Sequence, residues 1–183
     1  MLIAVSGKIG AGKDVLADLL QELEPRFEKK SFALKLKQIC VLLTGVPIYE
    51  QLSREGKMRY LPDWGMTIGK MQQLLGTNAI RNGLHPDAWV LALFSDYVPS
   101  KSFWVITDCR FPNEAQAVLS RGGLMVRIDG SRTGPQGRGP FHISETALDD
   151  FDGFSYRFTN DGTMEDLMSH AKAILAMAES NSQ

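Results

Sequence analysis

Cysteine, histidine and long apolar runs are all scarce in this sequence. It has two cysteines, Cys40 and Cys109, and three scattered histidines, so neither a disulfide framework nor a metal cluster of such ligands is indicated. Its apolar runs are far shorter than the roughly 20 residues that a membrane-spanning helix needs. The segment Met1–Ser6 carries no basic flank and no cleavage-like site, so we expect no signal peptide and a cytoplasmic location.

The composition is that of one globular domain spanning residues 1–183. Hydrophobic residues make up 44% of the chain and charged residues 22%, which excludes a disordered or low-complexity protein. Twenty basic and twenty-one acidic residues leave a net charge of -1. This balance argues against a general nucleic-acid coat and against a membrane-surface protein, so we expect neither a nucleic-acid polymer nor a membrane as partner.

Short apolar runs alternate with helical patterns along the chain. Strands are predicted at 2–5, 27–32, 102–107, 124–128 and 156–158. Helices are predicted at 13–23, 34–43, 67–82 (strained at Gly76), 86–97, 113–120 and 163–178, the last of them capped by Thr163. The segment 49–63 is expected to be mobile helix and loop. This alternation predicts an α/β fold with a mainly parallel sheet flanked by helices.

The most specific motif is a glycine-rich loop that follows the first predicted strand. It has the pattern G-x-x-x-x-G-K, and a helix is predicted directly after it. Glycines allow backbone N–H groups to converge on a phosphate, and Lys13 adds a full charge that could reach the β- and γ-phosphates of a nucleotide. Asp14 stands where Ser or Thr is usual, and the sequence leaves open whether it meets a metal through water, faces an acceptor or caps the helix. The predicted phosphate-binding residues are Gly7, Lys8, Ile9, Gly10, Ala11, Gly12, Lys13 and Asp14.

A second polar group follows the strand predicted at 102–107. Asp108 comes directly after it, where parallel sheets place functional carboxylates. Beside a phosphate loop it could hold Mg²⁺ or orient an acceptor. Arg110 and Glu114 follow closely and are candidates for contact with the substrate. Three plainer interpretations stay open: a turn-forming aspartate, a surface arginine, and a glutamate that complements the dipole of its helix.

Further candidates lie in a helical region at about 45–97 and in a segment rich in glycine. Gln73, Thr77 and Arg81 would share a helix face that could bind a monophosphate, although the spacing alone favours a solvated helix face. Trp89 could stack on a base or belong to the core. The segment at about 130–141 is predicted to be a flexible lid, or else a plain surface loop. Arg132 and Arg138 lie in this segment, and His142 and Glu145 follow it; all four are candidate site residues.

Several of these segments together resemble the phage deoxynucleoside monophosphate kinases. The resemblance runs from about Leu2 to Asn160 and rests on the order of its motifs: GKD in the loop, Q-L-L-G-T with Arg81, P-D-A-W-V, D-C-R-F-P-N-E from Asp108, and H-I-S-E from His142. Animal phosphomevalonate kinase is similar in outline. The Q-x-x-G-T and D-x-W elements fit the nucleotide kinases better.

The resemblance implies a nucleoside-monophosphate-kinase-like fold with a small lid, and transfer of the γ-phosphoryl group of ATP to a deoxynucleoside monophosphate with Mg²⁺. It implies that Lys13 and the loop hold the donor, that Asp14, Arg81 and Arg110 face the acceptor phosphate, and that Asp14 and Asp108 meet the metal through water. Gln73 and Trp89 would line the base site. Lys8 or Arg132 would substitute for a basic residue that some relatives carry at Ile9 or Ala11.

Two other functions stay open at this point: a kinase for a small phosphorylated metabolite such as phosphomevalonate, and a non-catalytic nucleotide switch or ATPase. The sequence also leaves open the preferred base and whether the protein is a homodimer. If the protein is phage-encoded, its expected location is the host cytoplasm.

Overall fold

The first strand of the chain belongs to a five-stranded sheet, and the glycine-rich loop follows that strand. The computed structural model of the chain describes residues 1–130 and 146–181. The chain forms two units, Met1–Ser31 with Asp96–Gln183, and Phe32–Ser95. The sheet belongs to the first unit. The second is mostly helical.

The strands are β1 Leu2–Gly7, β2 Glu28–Lys30, β3 Tyr60–Leu61, β4 Met66–Thr67, β5 Trp104–Ile106, β6 Leu124–Asp129 and β7 Tyr156–Thr159. The helices are α1 Lys13–Leu23, α2 Leu34–Thr44, α3 Ile48–Leu52, α4 Arg54–Met58, α5 Ile68–Gln73, α6 Ala88–Phe94, α7 Pro112–Leu119 and α8 Met164–Ser180. A 3₁₀ turn covers Pro62–Trp64, and a π-helix covers Leu74–Asn82. The strands predicted at 27–32 and 102–107 are therefore shorter than expected, each by several residues.

The five-stranded sheet has the order β2-β5-β1-β6-β7, and all of its strand pairs are parallel. Ala4 of β1 lies opposite Ile106 of β5, and Val5 lies opposite Val126 of β6. The predicted α/β fold with a mainly parallel sheet is confirmed. Because the strands run in one direction, the loops that follow β1 and β5 leave the sheet at the same edge.

The core of the first unit forms where the sheet meets α1 and α8. Ile3 and Val5 pack on this face, and Leu16, Leu20 and Ile174 cover them from the two helices. All five are fully buried, and burying such a side chain contributes about 1.5–3 kcal/mol. Helix α7 also packs against β1 and β6. The first five residues of β1 and of β6 are buried, because strands covered on both faces are mostly apolar along their length.

The second unit has a separate small core and a hairpin that the sequence analysis did not predict. Its core residues are Cys40, Val46, Leu61, Ile68 and Met71. Helices α3 and α4 confirm the helical part of the region 49–63, where helix and loop were expected. Strand β3 lies at the end of that region and pairs antiparallel with β4 just after it, so the expectation is corrected there. Two-residue strands are too short to show a period-two pattern, and only the pairing reveals them.

The helix predicted at 67–82 is present but changes its winding. After α5 it continues as the π-helix, which confirms helical structure and a departure from the regular form near Gly76. A Cβ atom at Gly76 would lie 2.7 Å from Cδ2 of Leu36, so a larger residue would force the Leu36 side chain to move. The glycine therefore allows α2 to approach closely.

The helix predicted at 86–97 is shorter than expected. Helix α6 covers Ala88–Phe94, and the residues before it form a turn in which the Asp87 N–H donates to Nδ1 of His85 at 3.0 Å. This local hydrogen bond competes with the helical one. By contrast, the predicted cap of the last helix is confirmed: Oγ1 of Thr163 accepts from the Asp166 N–H, and the Asp166 carboxylate accepts from the Thr163 N–H at 2.7 Å.

The scarce features of the sequence have simple structural counterparts. Cys40 and Cys109 are both buried and free. Across residues 1–130 and 146–181, none of the helices combines the length and the apolarity that crossing a bilayer requires.

Candidate active site

The phosphate loop, which we define as Gly7–Lys13, connects the end of β1 to the start of α1. Its glycines take positive φ angles, +80° at Gly10 and +99° at Gly12. Neither of the two outer glycines has room for a side chain. A Cβ atom would lie 2.6 Å from the Ile128 carbonyl oxygen at Gly7, and 2.5 Å from Nδ2 of Asn160 at Gly12. The loop therefore needs glycine for its backbone conformation and for its packing.

Lys13 folds back over the phosphate loop. Its ammonium donates to the carbonyl oxygens of Gly7 at 2.7 Å and Lys8 at 2.8 Å. Lys13 is also the first residue of α1, so its charge adds to the positive dipole end of that helix. The combination of a cation, a helix N-terminus and a tight glycine turn is suited to binding a phosphate group.

Asp14 is exposed in the first turn of α1. A carboxylate at this position complements the helix dipole, which is one of the roles that the sequence left open. The roles at a metal or an acceptor stay predictions. Ile9 is half-buried in the loop, and Ala11 is buried.

The second predicted group follows β5, in the segment that we call the Asp108 loop (Thr107–Phe111). Oδ2 of Asp108 accepts a hydrogen bond of 2.7 Å from the hydroxyl of Ser31, which directly follows β2. Because β5 lies between β2 and β1, this loop and the phosphate loop leave neighbouring strands at the same edge. Asp108 is thus placed at the edge where the sequence predicted a functional carboxylate.

The Glu114 side chain binds the backbone of the Asp108 loop. Its side chain is 2% exposed, and Oε2 accepts from the N–H groups of Arg110 at 2.8 Å and Phe111 at 3.1 Å. This carboxylate caps the start of α7 and fixes the backbone of Arg110. A contact of Glu114 with substrate, as the sequence analysis expected, stays a prediction.

Cys109 does not supply a nucleophile between these charged residues. Burial raises the pKa of its thiol well above its usual range, and the negative charges of Glu114 and Asp108 raise that pKa further. A thiol of this kind stays protonated and unreactive at neutral pH. The candidate groups for chemistry in this loop are therefore Asp108 and Arg110.

The predicted acceptor residues lie in the unit Phe32–Ser95. Gln73 ends α5, and Thr77 and Arg81 follow on the π-helix; all three are half-buried. A guanidinium nitrogen of Arg81 donates to the Pro86 carbonyl at 3.3 Å. Trp89 is buried, and its indole N–H donates to the Gly76 carbonyl at 2.9 Å, which ties α6 to the π-helix. Their roles toward a substrate stay predictions.

The remaining sequence candidates fall beyond the part of the chain that the structure describes. These are Arg132, Arg138, His142 and Glu145, together with all of the predicted lid at about 130–141 except Gly130. Their assignment rests on the sequence and on the resemblance.

One residue that contacts the phosphate loop was missed by the sequence analysis. Asn160 follows β7, is buried, and donates from Nδ2 to the Ala11 carbonyl at 2.8 Å. Its own N–H donates to the Asp129 carbonyl at 3.2 Å. A polar residue directly after a predicted strand is a signal of the same kind as Asp108, and it could have been used here too.

The carboxylates of the site fit a magnesium ion that keeps its waters. In residues 1–130 and 146–181, no group of three or more His, Cys, Asp or Glu side chains forms a metal site of its own. Mg²⁺ usually binds through one or two carboxylates plus substrate phosphates, and it retains several waters. Asp14 and Asp108 are carboxylates placed at the start of α1 and at the end of β5, so the predicted metal contact through water is consistent with the chemistry of the donors.

Comparison with known proteins gives independent evidence on the family of this chain. The family model described as deoxynucleotide monophosphate kinase matches residues 57–171, more than half of the chain. A protein of Acanthamoeba polyphaga mimivirus named "Putative deoxynucleotide monophosphate kinase" is 30% identical to this chain over an alignment that is 184 residues long. The alignment covers 92% of this chain and 93% of that protein. The family match begins after the phosphate loop, so the loop geometry is a separate observation. The resemblance found in the motifs is confirmed, and the chain belongs to the deoxynucleotide monophosphate kinase family.

Proposed function

We propose that this protein transfers the γ-phosphoryl group of ATP to a deoxynucleoside 5′-monophosphate, yielding ADP and a deoxynucleoside diphosphate. The protein is a kinase by its family, and the donor, the acceptor and the residue roles are what we add. One observation carries the proposal: the phosphate loop leaves β1 at the sheet edge shared with Asp108, with the Lys13 ammonium already held over the loop.

In the reaction, an oxygen of the acceptor phosphate forms a bond to the γ-phosphorus of ATP. The bond from that phosphorus to the β–γ bridging oxygen breaks, and ADP leaves with the electron pair. Such a transfer needs little covalent chemistry from the protein, which acts by positioning the groups and neutralising charge. Lys13 suits this task because the neutral carbonyls that now bind its ammonium hold a cation less strongly than phosphate oxygens do.

The other roles divide between donor and acceptor. Asp14 and Asp108 would hold Mg²⁺ through water, and the ion when bound would neutralise donor phosphate charge. Arg110 and Arg81 would face the acceptor phosphate. Gln73 and Trp89 would line the site of the nucleobase, and Thr77 would also contact the acceptor. From the sequence we assign to Arg132 and Arg138 the role of bringing positive charge to the γ-phosphate. We assign contacts with the acceptor to Glu114, His142 and Glu145.

An acceptor panel tests the proposal directly. ADP release is measured with ATP and Mg²⁺ in the presence of dAMP, dCMP, dGMP, dTMP or phosphomevalonate, and without any acceptor. We expect release only with one or more of the deoxynucleotides, and loss of release when EDTA removes the metal. Release without an acceptor would instead indicate an ATPase or switch. Release with phosphomevalonate alone would indicate a metabolite kinase.

A further inference from the structure

The phosphate loop carries an ion pair to a distant part of the chain. Nζ of Lys8 lies 2.7 Å from Oδ1 and 2.6 Å from Oδ2 of Asp149. The two side chains are 39% and 38% exposed. A carboxylate next to a loop that binds phosphates is unexpected, because its negative charge opposes the binding of an anion.

Asp149 is also bound by a second cation, which is buried. Arg127 lies on β6 opposite Ser6 of β1, and its side chain is 7% exposed. Its guanidinium donates to Oδ1 of Asp149 at 2.8 Å, to Oδ1 of Asp129 at 3.2 Å and to the Ser6 hydroxyl at 3.4 Å. These acceptors fix the guanidinium, so Arg127 holds Asp149 in place whether or not Lys8 is bound to it.

Asp149 therefore stays negatively charged at neutral pH. Burial raises the pKa of its carboxyl, but the hydrogen bonds from Lys8 and Arg127 outweigh that effect, and the pKa lies below its usual range. Lys8, in contrast, is a flexible side chain whose ammonium can exchange one acceptor for another.

We propose that Asp149 is an internal counter-ion that competes with the donor phosphates for Lys8 and so weakens nucleotide binding. The inference rests on the proposed function, which places those phosphates at the loop. An exposed lysine–carboxylate pair contributes little, whereas a charge-assisted bond to phosphate is stronger, so a nucleotide displaces Asp149 from Lys8. Arg127 keeps the carboxylate paired after Lys8 has left, which avoids an uncompensated charge.

Calorimetric titration with ADP tests the competition. Asp149→Asn keeps an oxygen that can accept from Arg127 but removes the charge that holds Lys8. We expect this variant to bind ADP about two- to fivefold more tightly than the wild type at low salt, the range set by the strength of an exposed ion pair. In a Lys8→Met background the same change should have less than half of that effect. High salt should also reduce it.

Asp150→Asn is the matched control, because Asp150 is exposed and the same charge is removed one residue away. We expect its ADP affinity to equal that of the wild type. Thermal melting establishes that each variant is folded, and Asp149→Ser replaces Asp149→Asn if the latter is not.

Three results would overturn the inference: unchanged or weaker ADP binding by Asp149→Asn, equal tightening in the Lys8→Met background, or equal tightening by Asp150→Asn. A wild-type protein that binds no ADP would contradict the proposed function itself, which is a distinguishable failure.

Discussion

The phosphate loop and the Asp108 loop leave neighbouring strands at one edge of the sheet, yet they are held in different ways. The phosphate loop is shaped mainly by its own residues, with glycines at positive φ and the Lys13 ammonium bound to the Gly7 and Lys8 carbonyls. Asn160 adds one contact from a distant part of the chain. The Asp108 loop is held by side chains from elsewhere, Ser31 after β2 and Glu114 in α7.

The difference explains why one loop is so much easier to recognise in a sequence than the other. A backbone that requires glycine at set positions leaves a fixed spacing of residue types. A loop that depends on partner side chains leaves only a polar residue after a strand, and its partner can be any hydroxyl or carboxylate that the fold brings near. Variants of each loop and of its partner side chains test this difference.

The largest effect is expected from the phosphate loop. Lys13→Ala removes the cation held over the loop and should lower kcat by about 10²–10³, as loss of one group that stabilises developing charge does. Steady-state assays with the best acceptor of the panel measure this. Lys101→Ala, an exposed lysine in a turn, is the control and should be close to the wild type. Near-normal activity of Lys13→Ala would falsify the assignment of this lysine.

Gly12→Ala should destabilise the fold more than Gly122→Ala. Both glycines have positive φ, +99° and +72°, but an added Cβ meets Asn160 at 2.5 Å in the first case and nothing within 4 Å in the second. We expect Gly122→Ala to cost about 1–2 kcal/mol and Gly12→Ala about 1–3 kcal/mol more. Urea unfolding measures both.

Asn160→Ala in the Gly12→Ala background sharpens this prediction. Asn160→Ala alone removes the hydrogen bond to the Ala11 carbonyl, so it should lower the free energy of unfolding. In the Gly12→Ala background it also removes the clash, so it should cost less there than it does alone. Equal losses at Gly12 and Gly122, or an equal cost of Asn160→Ala in both backgrounds, would show that packing against Asn160 is not what restricts the loop.

A smaller effect is expected at the Asp108 loop. If Asp108 acts on metal or acceptor, Asp108→Asn should lower kcat by about 10–10². Ser31→Ala removes one hydrogen bond, which contributes about 0.5–1.5 kcal/mol, so it should lower kcat by no more than about tenfold. Kinetics at saturating substrates measure both variants. A Ser31→Ala loss larger than that of Asp108→Asn would contradict the order proposed here.

The smallest effect is expected at the cap of α7. Glu114→Gln keeps an acceptor oxygen for the Arg110 and Phe111 N–H groups but loses its charge, which should lower the free energy of unfolding by about 1 kcal/mol. Glu165→Gln removes an exposed acid from the first turn of α8 and serves as the control. Chemical unfolding should separate the two, and equal stabilities would mean that the buried cap contributes no more than an exposed charge.

The sequence predicted those elements best whose structure depends on residues close together in the chain. It predicted β1, the loop and α1 together because an apolar run, a glycine spacing and a helical pattern follow one another. It predicted the Thr163 cap because a threonine side chain can accept a hydrogen bond from the first N–H groups of a helix.

Contacts between distant parts of the chain were harder to predict. The hairpin of β3 and β4 consists of two-residue strands that only pairing defines. The contact of Asn160 with Ala11 joins residues 149 positions apart. Arg127 looked like one more position in an apolar strand, and nothing near it in the sequence indicates Asp149 as its partner.

The sequence alone therefore determined the α/β class, the phosphate loop and the kinase family, because each depends on residue types at short, fixed spacings. The tertiary structure alone decided which side chains support the phosphate loop and the Asp108 loop. Asn160 packs on Gly12, Ser31 binds Asp108, and Asp149 joins Lys8 to Arg127. The physical reason is that hydrogen bonds and ion pairs act over a few ångströms in space. Folding decides which residues come within that range, however far apart they are in the chain.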